Sequence, residues 1–202
     1  MIRSRGCSSC LDRGNSTNLY SMHVESGVMT QLTDYIGNDQ LDACLLPDES
    51  AAFVKLGRKL IRLDLANYDE RVMYEAPQGY HLGNVSACAD GLHVCTCVQE
   101  DLSHRIRLDL GNGYVGHQEL MEAAPHSMIV RIDAESGKAE TIYEASRFIT
   151  HINASPKEPW LLTFCHEVTL AFGGSPYLGA GPAYRRSLEN PGTVRAGREG
   201  GT

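Results

Sequence analysis

Eight histidines and seven cysteines carry most of the reactive chemistry open to this 202-residue chain. An imidazole titrates near neutrality and can take a proton without a large shift of its pKa. His151 stands beside Ile149 and Ile152, ahead of the Ser155-Pro156 turn, where it fits a general base or a packed structural residue. His166 follows Leu162 and Phe164 at a period of two, so strand alternation turns it to their face, either packed or lining a site. His23, His81, His93, His104, His117 and His126 show no ligand spacing and read as surface or packing residues.

Cys7-Ser8-Ser9-Cys10 has the spacing of a zinc half-site or a redox pair, but no second pair matches it and no βαβ pattern surrounds it. Most of the other cysteines, Cys44, Cys88, Cys95, Cys97 and Cys165, fall inside apolar strand patterns, where cysteine behaves as a small hydrophobe. With an odd total, buried free thiols are expected. Arg13, in a turn after Asp12, could meet an anion bidentately or pair with its neighbour; Arg131 lies in the run Ser127-Met128-Ile129-Val130-Arg131.

The elements that must position these groups repeat. Asn18 to Gly27, Lys59 to Leu65 and Met128 to Gly137 are strand-and-turn units, each followed by a second extended segment: Met29 to Thr33, Arg71 to Glu75 and Ala139 to Glu144. Turn residues at Leu46-Pro47-Asp48-Glu49, Ala89-Asp90-Gly91 and Ser155-Pro156-Lys157-Glu158 each precede a further short run, as in a hairpin. From His23 to Asp64 is 41 residues and from Asp48 to Asp90 is 42, a period that suits a four-stranded propeller blade. Asp133 follows Asp64 by 69, which makes Glu100 to His126 an insertion. The expectation is all-β: an incomplete propeller of three to four blades, with antiparallel strands at Asn18–Val24, Leu60–Leu65 and Met128–Asp133 in successive blades.

Composition narrows the partners. With 42% apolar and 21% charged residues the chain is neither disordered nor membranous, and no run approaches the ~20 apolar residues that span a bilayer. The first ten residues carry no apolar signal core, so a cytoplasmic location is the default. A net charge of −7 excludes nucleic acid as a partner, since phosphate binding needs a basic face. Eight of the 20 glycines lie in residues 168–202, among Arg185, Arg186, Arg195 and Arg198 and without alternation, so a disordered tail is expected there.

Several segments in order resemble the oligogalacturonate lyases, pectin-degrading enzymes on a seven-bladed propeller. They run Asp12-Arg13-Gly14-Asn15-Ser16-Thr17-Asn18-Leu19-Tyr20, Thr30-Gln31-Leu32-Thr33-Asp34, Glu70-Arg71-Val72-Met73-Tyr74-Glu75-Ala76-Pro77-Gln78-Gly79-Tyr80, Val130-Arg131-Ile132-Asp133, Glu135-Ser136-Gly137, Thr150-His151-Ile152 and Thr163-Phe164-Cys165-His166-Glu167. The resemblance covers residues 12–167, leaving residues 1–11 as an extension and 168–202 as a tail that loses the pattern at once, as a truncated or frame-shifted copy would.

The resemblance implies β-elimination of short galacturonate oligomers assisted by a divalent metal, with Mn2+ expected in the family. It makes His151 the catalytic base and His166, Arg13 and Arg131 substrate-binding residues, with Ser127 nearer than Arg131 to the family's arginine position. The family's metal ligands fall outside the matching stretch, so the 202-residue chain is expected to bind no metal and to be inactive. An acidic protein acting on a polyanion needs a local positive focus, and without the metal this chain lacks one. The competing expectation is a non-catalytic propeller module that binds a protein or peptide.

Overall fold

The computed structural model describes residues 16–37, 41–109 and 114–167, with the backbone of 6–7, 11–12 and 184–187. In chain order the elements are β1 (Gly6–Cys7), β2 (Leu11–Asp12), β3 (Thr17–Asn18), β4 (Tyr20–Met22), β5 (Met29–Gln31), β6 (Leu41–Leu45), β7 (Ala51–Leu56), β8 (Lys59–Asp64), β9 (Glu70–Glu75), β10 (Tyr80–Ala87) and β11 (His93–Glu100). They continue with α1 (His117–Glu122), β12 (His126–Asp133), β13 (Ala139–Ser146), β14 (Phe148–Ala154), β15 (Leu161–Glu167) and β16 (Tyr184–Ser187). Four antiparallel blades of a β-propeller result: β1-β4-β5, β6-β7-β8-β9, β10-β11-β12-β13 and β14-β15-β16, with β2-β3 as a separate ribbon. The strand expected from the tail's sequence is none, yet β16 pairs with β15; the rest of 168–202, and Arg13, lie outside the described residues.

Burial explains the strand sequences. Ala51-Ala52-Phe53-Val54 in β7 is a continuous buried run because the second strand of a blade is covered on both faces. Ala51 and Phe53 join Leu60, Leu82, Val94, Val98, Val130 and Ile132 between the second and third blades. Ala52 and Val54 turn the other way, to Leu19 and Leu63 against the first blade. Full burial of a side chain such as Phe53 contributes about 1.5–3 kcal/mol. Within the third blade the parity recurs, with Cys95, Cys97 and Ile129 facing Ile149, Ile152, Leu162 and Phe164 of the fourth.

The repeated strand-and-turn units are the third and fourth strands of successive blades. Their turns share a device: His23, Asp64 and Asp133 accept through their backbone carbonyls from Gly27 (2.8 Å), Tyr68 (2.9 Å) and Gly137 (3.0 Å), all of which have positive φ. The Asp133 carboxylate also accepts from the Ser136 backbone N–H at 2.7 Å. The first of these strands, Tyr20–Met22, is shorter than Asn18–Val24, because Asn18 pairs instead with Leu11 in the β2–β3 ribbon and His23 opens the turn. The buried Asn18 side chain accepts from Thr33 Oγ1 (3.0 Å) and the Tyr35 N–H (2.6 Å) and donates to the Tyr35 carbonyl (3.2 Å), satisfying polar groups the sheet would otherwise pair. The segment from 101 to 125 separates β11 from β12, and Leu102 and Leu120 pack there with Phe148.

Gly137 separates conformational from packing constraint. Its φ is +74°, and a Cβ there would lie 2.6 Å from the Met73 carbonyl oxygen of the preceding blade; Gly27, at φ +68°, has open space around it. Gly27→Ala should therefore cost about 1 kcal/mol for the left-handed backbone alone, and Gly137→Ala more, about 2–4 kcal/mol with the collision included. Urea unfolding of the two variants checks this, and equal losses would show that the blade contact does not form.

Candidate active site

The innermost strands β6, β10 and β14 run side by side around the propeller axis, and side chains of one hold the backbone of the next. Asp42 accepts from the Val85 N–H at 2.8 Å, and Ser86 Oγ accepts from the Ala154 N–H at 2.9 Å. Asn84 makes two bonds to one residue, donating from Nδ2 to the Ile152 carbonyl (2.6 Å) and accepting at Oδ1 from the Ile152 N–H (3.1 Å). Those two partners fix which end of the amide is oxygen.

Both β10 and β14 break register where they are held. Between Leu82 and Val85, and again between Thr150 and Asn153, two residues oppose one on the neighbouring strand, which makes each a β-bulge. Gly83 and Asn84 fill the first bulge, His151 and Ile152 the second. His151 takes φ +52°, a left-handed conformation costly for a non-glycine residue, and its side chain is 72% exposed. Ile152, fully buried, anchors the bulge from below while the imidazole projects outward.

Glu167 completes the immediate surroundings. Its Oε1 accepts from Thr150 Oγ1 at 2.5 Å and lies 3.9 Å from His151 Nε2. The carboxylate is therefore positioned by a neighbour in sequence to the histidine and offers an opposite charge to an imidazolium. An imidazole that gains a proton at this point has a counter-charge in place, which is what a general base needs after it has acted.

His166 sits on the Phe164 face, as its parity requires, with ring centroids 5.3 Å apart and its Nε2 3.2 Å from the Tyr143 hydroxyl. Burial, with the Arg147 charge second, holds its imidazole below the ordinary value of 6.5. His81 is lowered in the same way, chiefly by burial and then by Lys55, against the opposing influence of Asp101 and Gln99. His151 and His166 are brought to adjacent strands, but His166 is packed against aromatic rings and His151 is presented to solvent.

Arg131 stands on the third strand of its blade, where Glu140 on the outermost strand engages its guanidinium. It is thus committed to a pair within its own blade and is not brought to the His151 bulge. Ser127 is fully buried, its hydroxyl donating to the Pro125 carbonyl at 3.4 Å, so it presents no charge either. Arg13 lies outside the described residues. Asn84 lies in no quoted motif, and Thr150 and Glu167 stand in matched strings without a role read from them; the signal that existed for the first bulge was Gly83 inside an apolar strand pattern.

Among the described residues no three His, Cys, Asp or Glu side chains converge as a metal site, and His151 with Glu167 is a set of two. These residues alone do not fit a divalent cation. Nor do the surface depressions at Gln31, Leu32, Thr33 and Asp34 or at Thr141, Ile142, Tyr143 and Glu144 include His151. The site is an exposed bulge on the axis-facing strand.

An arc of propeller blades with a histidine held on an innermost strand defines the class of protein. The particular family follows from comparison: the oligogalacturonate lyase model matches residues 9–172, and the chain belongs to that family. It is 27% identical over 154 residues to the oligogalacturonate lyase of Dickeya dadantii and 26% identical over 154 residues to the oligogalacturonide lyase of Pectobacterium atrosepticum. Each match covers 74% of this chain and 38% of the relative. A solved oligogalacturonate lyase in complex with manganese superposes with a TM-score of 0.64 at 26% identity, over 76% of this chain and 40% of that one. The chain spans less than half the length of the relatives it matches.

Two outcomes follow. Asn84→Ala leaves both polar groups of Ile152 without that partner and should cost about 1–3 kcal/mol in urea unfolding, with faster exchange of the Ile152 amide; an unchanged midpoint would mean the clamp is not made in solution. For pH, the folded-state values of His81 and His166 are depressed, so the unfolded chain binds protons that the folded one refuses. Their contribution is complete above the ordinary histidine value and is lost as pH falls through 6.5 toward the lowered values. Unfolding midpoints measured from neutral to mildly acidic pH should decline, and His166→Phe should decline less steeply.

Proposed function

We propose that this chain carries the proton-abstracting arc of a lyase that cleaves short galacturonate oligomers by β-elimination, with His151 as the base. Family membership supports the substrate class, and one observation carries the residue: a histidine held at φ +52° on the axis-facing strand, beside a positioned carboxylate. In such a reaction the base removes the proton on C5 of the uronate, the C5–H electron pair becomes the C4–C5 double bond, and the C4 oxygen departs with a proton gained from the surroundings. Binding the ring so that C5–H meets His151 places proton and base within reach in the one geometry that reacts.

The C5 proton is weakly acidic, and the uronate carboxylate must have its developing charge stabilised. The related lyase solved with manganese suggests a divalent cation for that role in the complete reaction, yet the described residues do not assemble one's ligands. His151 and Glu167 therefore account for proton transfer alone, and Arg131, paired with Glu140, is not assigned to the carboxylate.

Transplanting residues 9–172 into the Dickeya dadantii relative, in place of the segment they match, tests the proposal. The chimera should release unsaturated, ultraviolet-absorbing product from galacturonate oligomers. His151→Ala within it should lower kcat and kcat/KM together by about 10²- to 10⁴-fold, since a base acts in the transition state. A folded chimera that is inactive with His151 intact, or full turnover by folded His151→Ala, would overturn the assignment.

A further inference from the structure

We propose that Cys88 and Cys95 form an oxidisable dithiol, closed to an intrachain disulfide by exchange with a small-molecule disulfide of the glutathione type. The two sulfurs lie 3.7 Å apart across the β10–β11 hairpin, in hydrogen-bonding contact, and both residues are buried, at 4% and 0% exposure. A disulfide requires 2.03–2.05 Å, so the sulfurs must approach by about 1.7 Å, a movement on the scale of side-chain rotation.

Access comes from the turn. Cys88 is its first residue, closed by the Gly91 N–H to the Cys88 carbonyl at 3.1 Å and the Cys88 N–H to the His93 carbonyl at 2.9 Å, while Asp90 and Leu92 are exposed. Cys88 sits at the turn end of the core shared with Ile149, Ile152 and Leu162 of the fourth blade. Opening these two bonds frees its backbone so that the sulfur can swing out of that core while the buried stretch of β11 stays paired, and turns open more readily than core strands.

The pair is also chemically asymmetric. The Cys95 S–H donates to the Cys88 sulfur and, with the Arg131 charge, holds the Cys88 thiol below its ordinary value, against burial and Asp90; Cys95 is pushed up by the same contact and by burial. Cys88 is therefore the attacking thiolate and Cys95 the resolving thiol. Cys88 attacks one sulfur of the small disulfide, forming a mixed disulfide and expelling one small thiolate. Cys95 then attacks the Cys88 sulfur and expels the second. Two protein thiols are oxidised, one small disulfide is reduced to two thiols, and the two protons pass to those leaving groups. Cys97, pushed up to about 12 by burial and donating to the Ile149 carbonyl at 3.5 Å, stays protonated and outside the exchange.

The test incubates the folded 202-residue chain with oxidised glutathione and maps its cysteines by mass spectrometry. The expected product has lost two hydrogens, joins the Cys88 and Cys95 peptides, unfolds at higher urea, and reverts with dithiothreitol. Cys95→Ser should instead hold a lasting glutathione adduct on Cys88, and the double variant Cys7→Ser, Cys10→Ser should keep the Cys88–Cys95 link. Free Cys88 and Cys95 after excess oxidant, or a link between other cysteines in their place, would overturn the proposal; should the Cys95 variant not fold, the wild-type map alone decides.

Discussion

A twisted sheet of four strands has two faces, and in this protein both faces of the inner strands must be dry. That constraint governs the rest. It makes β7 a run of four buried residues that divides its side chains between two neighbours, and it makes β11 face the second blade with Val94 and Val98 while Cys95 and Cys97 face the fourth. The second and third blades are thus each one half of two cores. The short turns between third and fourth strands follow, because a longer connection would lift the outer strand off the face it covers.

The same arrangement decides where chemistry can be placed. A side chain turned toward the inter-blade cores meets apolar and aromatic neighbours, as the half-buried His166 meets Phe164 and Tyr143. A bulge on an innermost strand escapes that enclosure, because one extra residue turns a side chain toward the axis without breaking the sheet. His151 occupies that position with a strained backbone, and the strain is tolerated because Asn84 clamps the backbone of the buried Ile152 that follows it. The reactive group is exposed and its support is buried.

Much of this was legible from residue order. The Asp64 and Asp133 turns and the Ser-Gly pairs at 26–27 and 136–137 announced the third and fourth strands of each blade, and the displacement of Asp133 located the segment that contains α1. The family resemblance rested on short strings that the matched model extends to residues 9–172. Beyond the hint of Gly83 in the first, the bulges were not legible, since a register shift depends on which strand lies opposite; nor was the role of Asn84, whose partner is 68 residues away. Arg131 shows the limit of pairing arguments, because its partner Glu140 becomes adjacent only once the β12–β13 register is set. Asn18 reads as a residue of the first blade's strand and proves to belong to the β2–β3 ribbon, while its amide bonds to Thr33 and Tyr35 beyond β5.

The hand-to-hand contacts along the axis, from Asp42 to Val85 and from Asn84 to Ile152, also bear on how such an arc can be inherited. Propeller blades are commonly regarded as interchangeable modules that duplicate and recombine. Here the shape of one blade's functional strand is written partly in the blade before it, so a fourth blade copied without its predecessor would arrive with its histidine but without the amide that holds it. The heritable unit of this site is a pair of consecutive blades, and the boundary at which such a protein can be cut and rejoined lies one blade upstream of the residue that matters.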